Sequence, residues 1–445
     1  MRPRYLCRKL PDSTRDQTGA CRIMKKRLIV CCDGTWNAPE INNPRKNRAT
    51  NVLKLCRAII PEPSPEECQA VEYIPGVGTH DVIDRFLGGS SGWGISRNIQ
   101  QAYQFLVNNY LPGNDIFLFG FSRGAYTVRS LSGFIEKAGL IKKSSMHLFP
   151  QAFRAYRDGK WDDFKQQHRD ITHLVPNEVR IHFLGVWDTV GALGAPTPLL
   201  GRLTRHRVSF HSTGLATNVT HAYQALALHE ARSHFKPALW TNKLPWQIVE
   251  QVWFPGAHSD VGGGLASAGL SDAALDWMMT RARAAGLVFD PQYQREYIQP
   301  DPDTPIDISL RGMYWLFRAY VRPVGKDYID KTVKSESLAE YIHSSATARV
   351  GKPTHWRRFR DWRKKGYLNV ADERARRLPW LPEDEARAAQ AREKEQEAEV
   401  RRQVQEELEG VRAAFIEGSQ RHLDELKMKR LTLMKPKAGD PGGSP

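Results

Sequence analysis

The chain has 445 residues, a hydrophobic content of 41% and a formal net charge of +16. A chain of this length and composition can bury a large core, which excludes disorder throughout and favours one large domain with additions. It contains no apolar run of about 18 residues and no secretory leader pattern. We therefore expect neither a transmembrane helix nor a signal peptide, and we expect the product to be cytoplasmic. All 6 cysteines precede residue 69, and two of them adjoin within an apolar run, which favours buried or free thiols over a disulfide framework.

The positive charge is concentrated at the two edges of the chain. Residues 1–27 carry about nine Lys/Arg against two acids, and residues 352–378 carry about ten against three. A nucleic-acid groove would need basic residues along the core itself, so we expect no nucleic-acid partner. Basic segments beside a near-neutral body instead favour contact with an acidic surface, such as a phospholipid membrane.

Apolar runs and helical spacing predict the elements of the first part of the chain. A basic tail covers residues 1–26, and it is followed by strands at 28–32 and 70–74 and by helices at 50–60 and 95–110. The first strand runs into Asp33, Gly34 and Thr35, which places polar groups at a strand's carboxyl end, where open α/β sheets bind ligands. A glycine-rich stretch at 75–94 lacks the Lys-Ser/Thr ending of a P-loop and the glycine spacing of a dinucleotide site, so we expect a mobile loop there.

Residues 116–126 form the segment around which we expect the fold to be organised. An apolar strand pattern is joined there to a helical pattern through Gly120-Phe121-Ser122-Arg123-Gly124. A serine flanked by small residues in such a turn is typical of a nucleophile elbow, in which the hydroxyl stands above the carboxyl end of a parallel sheet. The backbone N–H groups at the start of the following helix would favour a developing oxyanion.

Two further polar residues follow predicted strands. The apolar run 179–186 ends before Asp188, and the run 251–254 ends shortly before His258. Nucleophile, acid and histidine occur in the chain order of α/β-hydrolases, so the sequence predicts a triad of Ser122, Asp188 and His258. Asp260 is the competing acid, and we rank it second because close sequence neighbours of a histidine seldom point at its ring.

The other segments have less specific patterns. We expect a polar insertion with scattered aromatic residues at 145–178, a loop or cap at 192–215, and helices at 220–232, 314–321 and 338–343. The last two helices would pack against the domain and close it.

Five segments in combination resemble a known family. They are residues 28–37, 76–79, 120–126, 187–191 and 258–264, and they include Cys-Asp-Gly-Thr-Trp-Asn, Gly-Phe-Ser-Arg-Gly and His-Ser-Asp-Val-Gly-Gly-Gly. Over about residues 27–350 the chain resembles the α/β-hydrolase-like family that includes the phospholipase effectors of bacterial type VI secretion. The resemblance implies a mostly parallel central sheet with helices on both faces, and a serine lipase that cleaves ester bonds of glycerophospholipids through the triad. It also implies a secretion-system component or an immunity protein as a partner, and export by a route other than the Sec pathway.

The expected chemistry requires neither a metal nor an organic cofactor. The histidine would take the serine's proton as the hydroxyl attacks an ester carbonyl, while the aspartate orients the imidazole. The backbone N–H of Arg123 would supply one oxyanion donor. By analogy with hydrolase geometry, Gly34 or Thr35 would supply the other.

The C-terminal region is predicted to add a helical extension to the catalytic domain. Residues 351–380 interleave aromatic rings with cations, a pattern that suits contact with anionic lipid about as well as a solvated helix. We call residues 356–365 the basic aromatic segment, and its candidate membrane-contact residues are Trp356, Arg357, Arg358, Trp362, Arg363, Lys364 and Lys365. Residues 381–435 predict a long amphipathic helix, and residues 436–445 predict a disordered tail.

Two other functions remain open at this point. A soluble carboxylesterase or thioesterase would use the same triad on a different ester. A non-catalytic membrane-binding or partner-binding protein would use the hydrolase fold as a scaffold and its basic edges for binding. The sequence favours the glycerophospholipid hydrolase over the scaffold because three candidate catalytic residues each follow a separate strand.

Overall fold

The structure is a computed structural model that describes residues 25–34, 48–76, 91–190, 214–232, 235–307, 320–324, 339–347 and 378–382, with single positions between 402 and 429. It divides into two units, Met1–Leu381 and Pro382–Pro445. In the second unit the described positions are helical. Finer domain boundaries stay predictions.

The elements of the first unit alternate between strands and helices along most of the chain. The strands are β1 Lys25–Cys32, β2 Glu67–Ile74, β3 Asp115–Phe121, β4 Leu140–Ile141, β5 Thr172–Leu174, β6 Ile181–Trp187, β7 Val219–Ala227, β8 Ile248–Phe254 and β9 Glu340–Ile342. The helices are α1 Asn51–Ala58, α2 Ser91–Asn109, α3 Arg123–Ala138, α4 Phe149–Arg157, α5 Trp161–Gln167, α6 His258–Gly262, α7 Gly269–Ala284, α8 Pro291–Tyr297 and α9 Ser344–Thr347.

Within the described residues, seven strands form one parallel sheet in the order β2-β1-β3-β6-β7-β8-β9. The chain passes from β1 to β2 on one side and then returns to place β3 on the other side of β1. Ligands bind outside the carboxyl ends of the strands at such a switch point. Asp33 follows β1 and Ser122 follows β3, so the topology brings these two residues to the same crevice.

The sheet is buried on both faces, as parallel sheets require. In β1, Leu28 and Val30 belong to the core beneath α2 and α3, whereas Ile29 and Cys31 belong to the core beneath α1 and α7. Successive side chains of a strand point to opposite faces, so one apolar run fills both cores. The observed α/β fold, with a parallel sheet between helices, confirms the predicted α/β-hydrolase-like class.

Two of the predicted helices are wrong. Residues 220–232 contain β7, which pairs with β6 and β8 in the middle of the sheet. A central strand buried on both faces is apolar almost throughout, and periodicity alone cannot distinguish it from a buried helix. Residues 338–343 contain the edge strand β9, which pairs with β8 over 3 residues. Most of 75–94, 192–215 and 314–321 lies outside the described residues.

The insertion at 145–178 contains two helices that support the elbow helix α3. Phe153 of α4 and Trp161 of α5 lie edge-on to Phe134 of α3, with ring centroids 5.5 and 5.9 Å away. Such aromatic pairs add to the stabilisation from burial alone. The segment is therefore part of the core next to the elbow helix.

The described cysteines agree in part with the expectation of free thiols. Cys31, Cys32 and Cys56 are free, whereas Cys68 is disulfide-bonded. Among the residues that the structure describes, no helix is both long and apolar enough to cross a membrane.

Candidate active site

The strand β3 and the helix α3 meet in a strained turn at Ser122. This residue has φ 56° and ψ −117°, a conformation that a non-glycine residue keeps only where the surrounding structure imposes it. A Cβ on Gly124 would overlap the carbonyl oxygen of Cys32, and one on Gly120 would lie 2.5 Å from the carbonyl oxygen of Gly124. The backbone N–H of Ser122 donates to Trp187 O at 3.1 Å, which ties the turn to the end of β6. The turn thus has the backbone geometry of a nucleophile elbow.

Asp188 and His258 are joined by a short hydrogen bond. His258 Nδ1 donates to Asp188 Oδ2 at 2.6 Å, and Asp188 Oδ1 accepts the N–H of Ala227 at 3.0 Å. The ring of Phe121, the residue before Ser122, lies 4.7 Å from the imidazole between centroids, which places the histidine beside the elbow. An imidazole whose Nδ1 proton is held by a carboxylate presents Nε2 as a proton acceptor.

Two other carboxylates hold the short helix α6 in place. Asp260 Oδ2 accepts the N–H of Ala257 at 2.8 Å and that of Asp307 at 3.0 Å. Glu230 Oε2 accepts the N–H of His258 at 3.3 Å. Asp260 therefore caps the helix through backbone groups, and this geometry favours the first-ranked acid over the alternative.

The buried Arg322 binds the carboxylate of Asp188. Its Nη1 donates to Asp188 Oδ1 at 2.6 Å and its Nη2 donates to Oδ2 at 3.0 Å. Burial would raise the pKa of Asp188, but the charge of Arg322 and the hydrogen bonds from Arg322 and His258 outweigh it and hold that pKa well below its usual range. Sequence reasoning missed Arg322, because no motif surrounds it and the contact joins residues 134 positions apart.

Glu230 was also missed, because it falls in the segment that we assigned to a helix. Its carboxylate is fully buried and accepts hydrogen bonds from Nε and Nη2 of Arg232, both at 2.8 Å. Burial would raise the pKa of Glu230, but the hydrogen bonds and charge of Arg232 lower it overall. The Arg232 guanidinium lies 3.5 Å from the ring centroid of Phe235, whose ring is 5.1 Å from that of His258.

Asp33 occupies the crevice next to the elbow. Its carboxylate accepts hydrogen bonds from Thr50 Oγ1 at 2.6 Å, Tyr73 OH at 2.7 Å and Gly34 N at 2.7 Å. Burial raises the pKa of Asp33 to about 6, although the three donors partly offset it. A Cβ on Gly34 would lie 3.3 Å from Ser122 Cβ. The candidate oxyanion donor Gly34 is therefore adjacent to the serine, but its N–H donates to Asp33 in this structure.

Among the other predicted site residues, the structure describes Arg123 but not Thr35 or the basic aromatic segment. Arg123 is the first residue of α3, and burial lowers the pKa of its guanidinium to about 10. Thr35 and the whole basic aromatic segment lie outside the described residues. Their roles stay predictions.

Comparison with known families identifies the chain. Residues 26–281, more than half of its length, match the family described as "T6SS, Phospholipase effector Tle1-like, catalytic domain". The chain belongs to this family. The match confirms the resemblance inferred from the five sequence segments.

Individual relatives are distant or only partly covered. The "Uncharacterized protein YEL023C" of Saccharomyces cerevisiae is 29% identical over 239 residues, which cover 48% of this chain and 33% of that protein. A crystal structure of an uncharacterized protein from Pseudomonas aeruginosa is 18% identical with a TM-score of 0.36, over 63% of this chain and 49% of that one. The Tle1 effector bound to the VgrG spike of the type 6 secretion system is 20% identical with a TM-score of 0.32, over 54% of this chain and 52% of that one. The chain thus spans about a third of the curated relative and about half of each solved chain.

Proposed function

We propose that this member of the Tle1-like family is a serine hydrolase that cleaves acyl ester bonds of glycerophospholipids, an activity of the phospholipase A type. The observation that carries the proposal is the hydrogen bond between Asp188 and His258 beside the strained turn at Ser122. A nucleophile, a base and an orienting carboxylate are the groups that acyl transfer through a serine requires.

In the proposed reaction, Ser122 Oγ attacks the ester carbonyl carbon while His258 takes the hydroxyl proton. The resulting oxyanion accepts hydrogen bonds from the N–H of Arg123 and from a donor in the loop after β1. When the tetrahedral intermediate collapses, the lysophospholipid oxygen leaves with the proton from His258, and the acyl group stays on the serine. Water then attacks the acyl-enzyme with His258 again as base, which releases the fatty acid and restores the serine.

The substrate and partner assignments rest on the family and on the charge of the chain. The family is described as phospholipase effectors of the T6SS, which supports a phospholipid ester, a secretion-system component or immunity protein as partner, and export by a route other than the Sec pathway. The net charge of +16 favours contact with an anionic phospholipid surface.

A fluorophosphonate probe tests the nucleophile. The wild-type protein should become labelled, and Ser122→Ala should lose both the label and ester turnover, the latter on the order of a million-fold. Ser130→Ala is the matched control, since Ser130 is a buried serine of α3, the helix that follows Ser122, and its replacement should leave labelling unchanged. Folded wild-type protein that takes up no label would refute the serine mechanism and favour the scaffold function.

The choice of substrate is tested with phospholipids that carry different acyl chains at the two glycerol positions. We expect release of free fatty acid and lysophospholipid from mixed micelles, and the released chain identifies the ester that is cleaved. Turnover restricted to a short nitrophenyl ester or an acyl thioester would contradict the phospholipid assignment and indicate a soluble carboxylesterase or thioesterase.

A further inference from the structure

The carboxylate of Asp188 is shared between His258 and a buried guanidinium. Arg322 is 1% exposed, and besides both oxygens of Asp188 it binds the carbonyl oxygen of Ala227 at 2.8 Å and that of Phe235 at 2.6 Å. One planar side chain thus holds four acceptors from three parts of the chain. A guanidinium suits this task because its N–H groups form a rigid fork, whereas a lysine ammonium is a point charge.

Charged side chains of both signs lie near His258, and Arg322 is the cation that binds Asp188. Asp188 follows β6, Glu230 follows β7, Arg232 pairs with Glu230, and Arg322 pairs with Asp188. Asp260, on the same helix as the histidine, binds backbone N–H groups. Two carboxylates and two guanidinium groups thus lie near the imidazole, and Arg322 is the cation that binds the carboxylate of Asp188 directly.

We propose that Arg322 is a positioning residue for the triad: it orients the carboxylate of Asp188 toward His258, and its charge sets the pH range in which the histidine serves as a base. This inference rests on the proposed serine mechanism and extends it. Arg322 lies C-terminal to residues 26–281, which match the family. The catalytic arrangement therefore depends on a residue from outside the matched region.

The experiment compares Arg322→Gln, Arg322→Lys and the control Arg27→Gln in the full chain, with kcat and KM for a short soluble ester measured from pH 5 to 9. Arg27 is also a buried arginine paired with a carboxylate, Glu67, at 2.9 Å. It lies near the start of β1, about 20 Å along the strand from Asp33, so the control removes a buried arginine from a partly buried ion pair away from the site.

In Arg322→Gln we expect the acid limb of the profile to move to higher pH by roughly one unit, because the uncancelled charge of Asp188 stabilises the protonated imidazole. At a pH below that limb, kcat should be about tenfold lower than in the wild type. KM should be unchanged, because a buried side chain does not touch the ester. Arg322→Lys should keep the wild-type limb, since the positive charge remains, but should have a lower kcat. Arg27→Gln should match the wild-type profile.

An Arg322→Gln enzyme whose acid limb stays at the wild-type pH would overturn the inference. If Arg322→Gln does not fold, the Arg322→Lys variant provides the test. A wild-type kcat and KM in Arg322→Lys would overturn the inference, whereas a lower kcat with the acid limb at the wild-type pH would support it. Wild-type protein without ester turnover or label would instead refute the proposed function. In that case the downfield proton resonance of His258 Nδ1 still tests the positioning, because it should shift in the Arg322 variants and an unchanged resonance would contradict the role.

Discussion

Asp33 should make the folded protein less stable at neutral pH than at acidic pH, and Asp33→Asn should remove this effect. Asp33 is 1% exposed and lies in the crevice beside the elbow. Burial raises its pKa from an ordinary 3.8 to about 6, and hydrogen bonds from Thr50, Tyr73 and Gly34 reduce the rise without abolishing it. The folded state therefore binds this proton more tightly than the unfolded state does.

The magnitude follows from the two pKa values. At about 1.4 kcal/mol for each unit of pKa, the difference corresponds to about 3 kcal/mol of unfolding free energy. Below about pH 4 both states are protonated and the contribution is complete. Between pH 4 and pH 6 the unfolded state loses the proton first, so the contribution declines, and it is gone once the pH has risen through the folded pKa. An asparagine side chain cannot ionise, so the Asp33→Asn variant should match the wild type near pH 4 and exceed it by about 3 kcal/mol at pH 8.

Urea unfolding followed by tryptophan fluorescence measures this difference across pH 4 to 8, and the chain offers 12 tryptophans as probes. The lowered pKa values of Asp188 and Glu230 have the opposite sign, since their contributions are lost as the pH falls, and they cancel when the variant is compared with the wild type. Tyr73→Phe removes one donor to Asp33 and should move the decline to higher pH. The control Asp170→Asn, at a carboxylate whose side chain is 94% exposed, should retain the wild-type pH dependence.

The reasoning is refuted if Asp33→Asn and the wild type differ by the same amount at every pH, or if the variant is the less stable protein at pH 8. Either result would mean that the carboxylate is ionised at no net cost in its three-donor site.

Two further predictions concern the acid and the membrane. Asp188→Asn should reduce ester turnover on the order of 10,000-fold. Asp260→Asn, which alters the contacts of this side chain with the backbone N–H groups of Ala257 and Asp307, should reduce turnover far less; the reverse order in a turnover assay would identify Asp260 as the acid. If the basic aromatic segment binds anionic lipid, Gln replacements in it should weaken binding to anionic vesicles, measured by co-sedimentation at low salt, by about 1 kcal/mol per residue. The effect should be smaller at physiological salt, and turnover of a soluble ester should be unchanged. Equal binding by the variant and the wild type would leave the segment as a solvated helix. The residues replaced are Arg357, Arg358, Arg363, Lys364 and Lys365.

The elements that could be predicted from the sequence are those whose contacts are local in the chain. The elbow could be predicted because a strand, a glycine-flanked serine and a helix are contiguous, and the strained turn at Ser122 requires those small neighbours. The strand β7 was mistaken for a helix because its residues are buried by partners on both faces, and burial on two faces removes the alternation that identifies a strand. Its pairing with β6 and β8 depends on segments elsewhere in the chain.

The sequence by itself determined the α/β class, the family and the order of Ser122, Asp188 and His258 at the ends of strand patterns, because these features are local. Only the tertiary structure showed that Arg322 binds Asp188, that Glu230 contacts the backbone of His258, and that the N–H of Gly34 donates to Asp33. The contacts of Arg322 and Glu230 join residues far apart in the chain. Local sequence patterns carry no information about such contacts, because they form only when distant segments pack together in the folded chain.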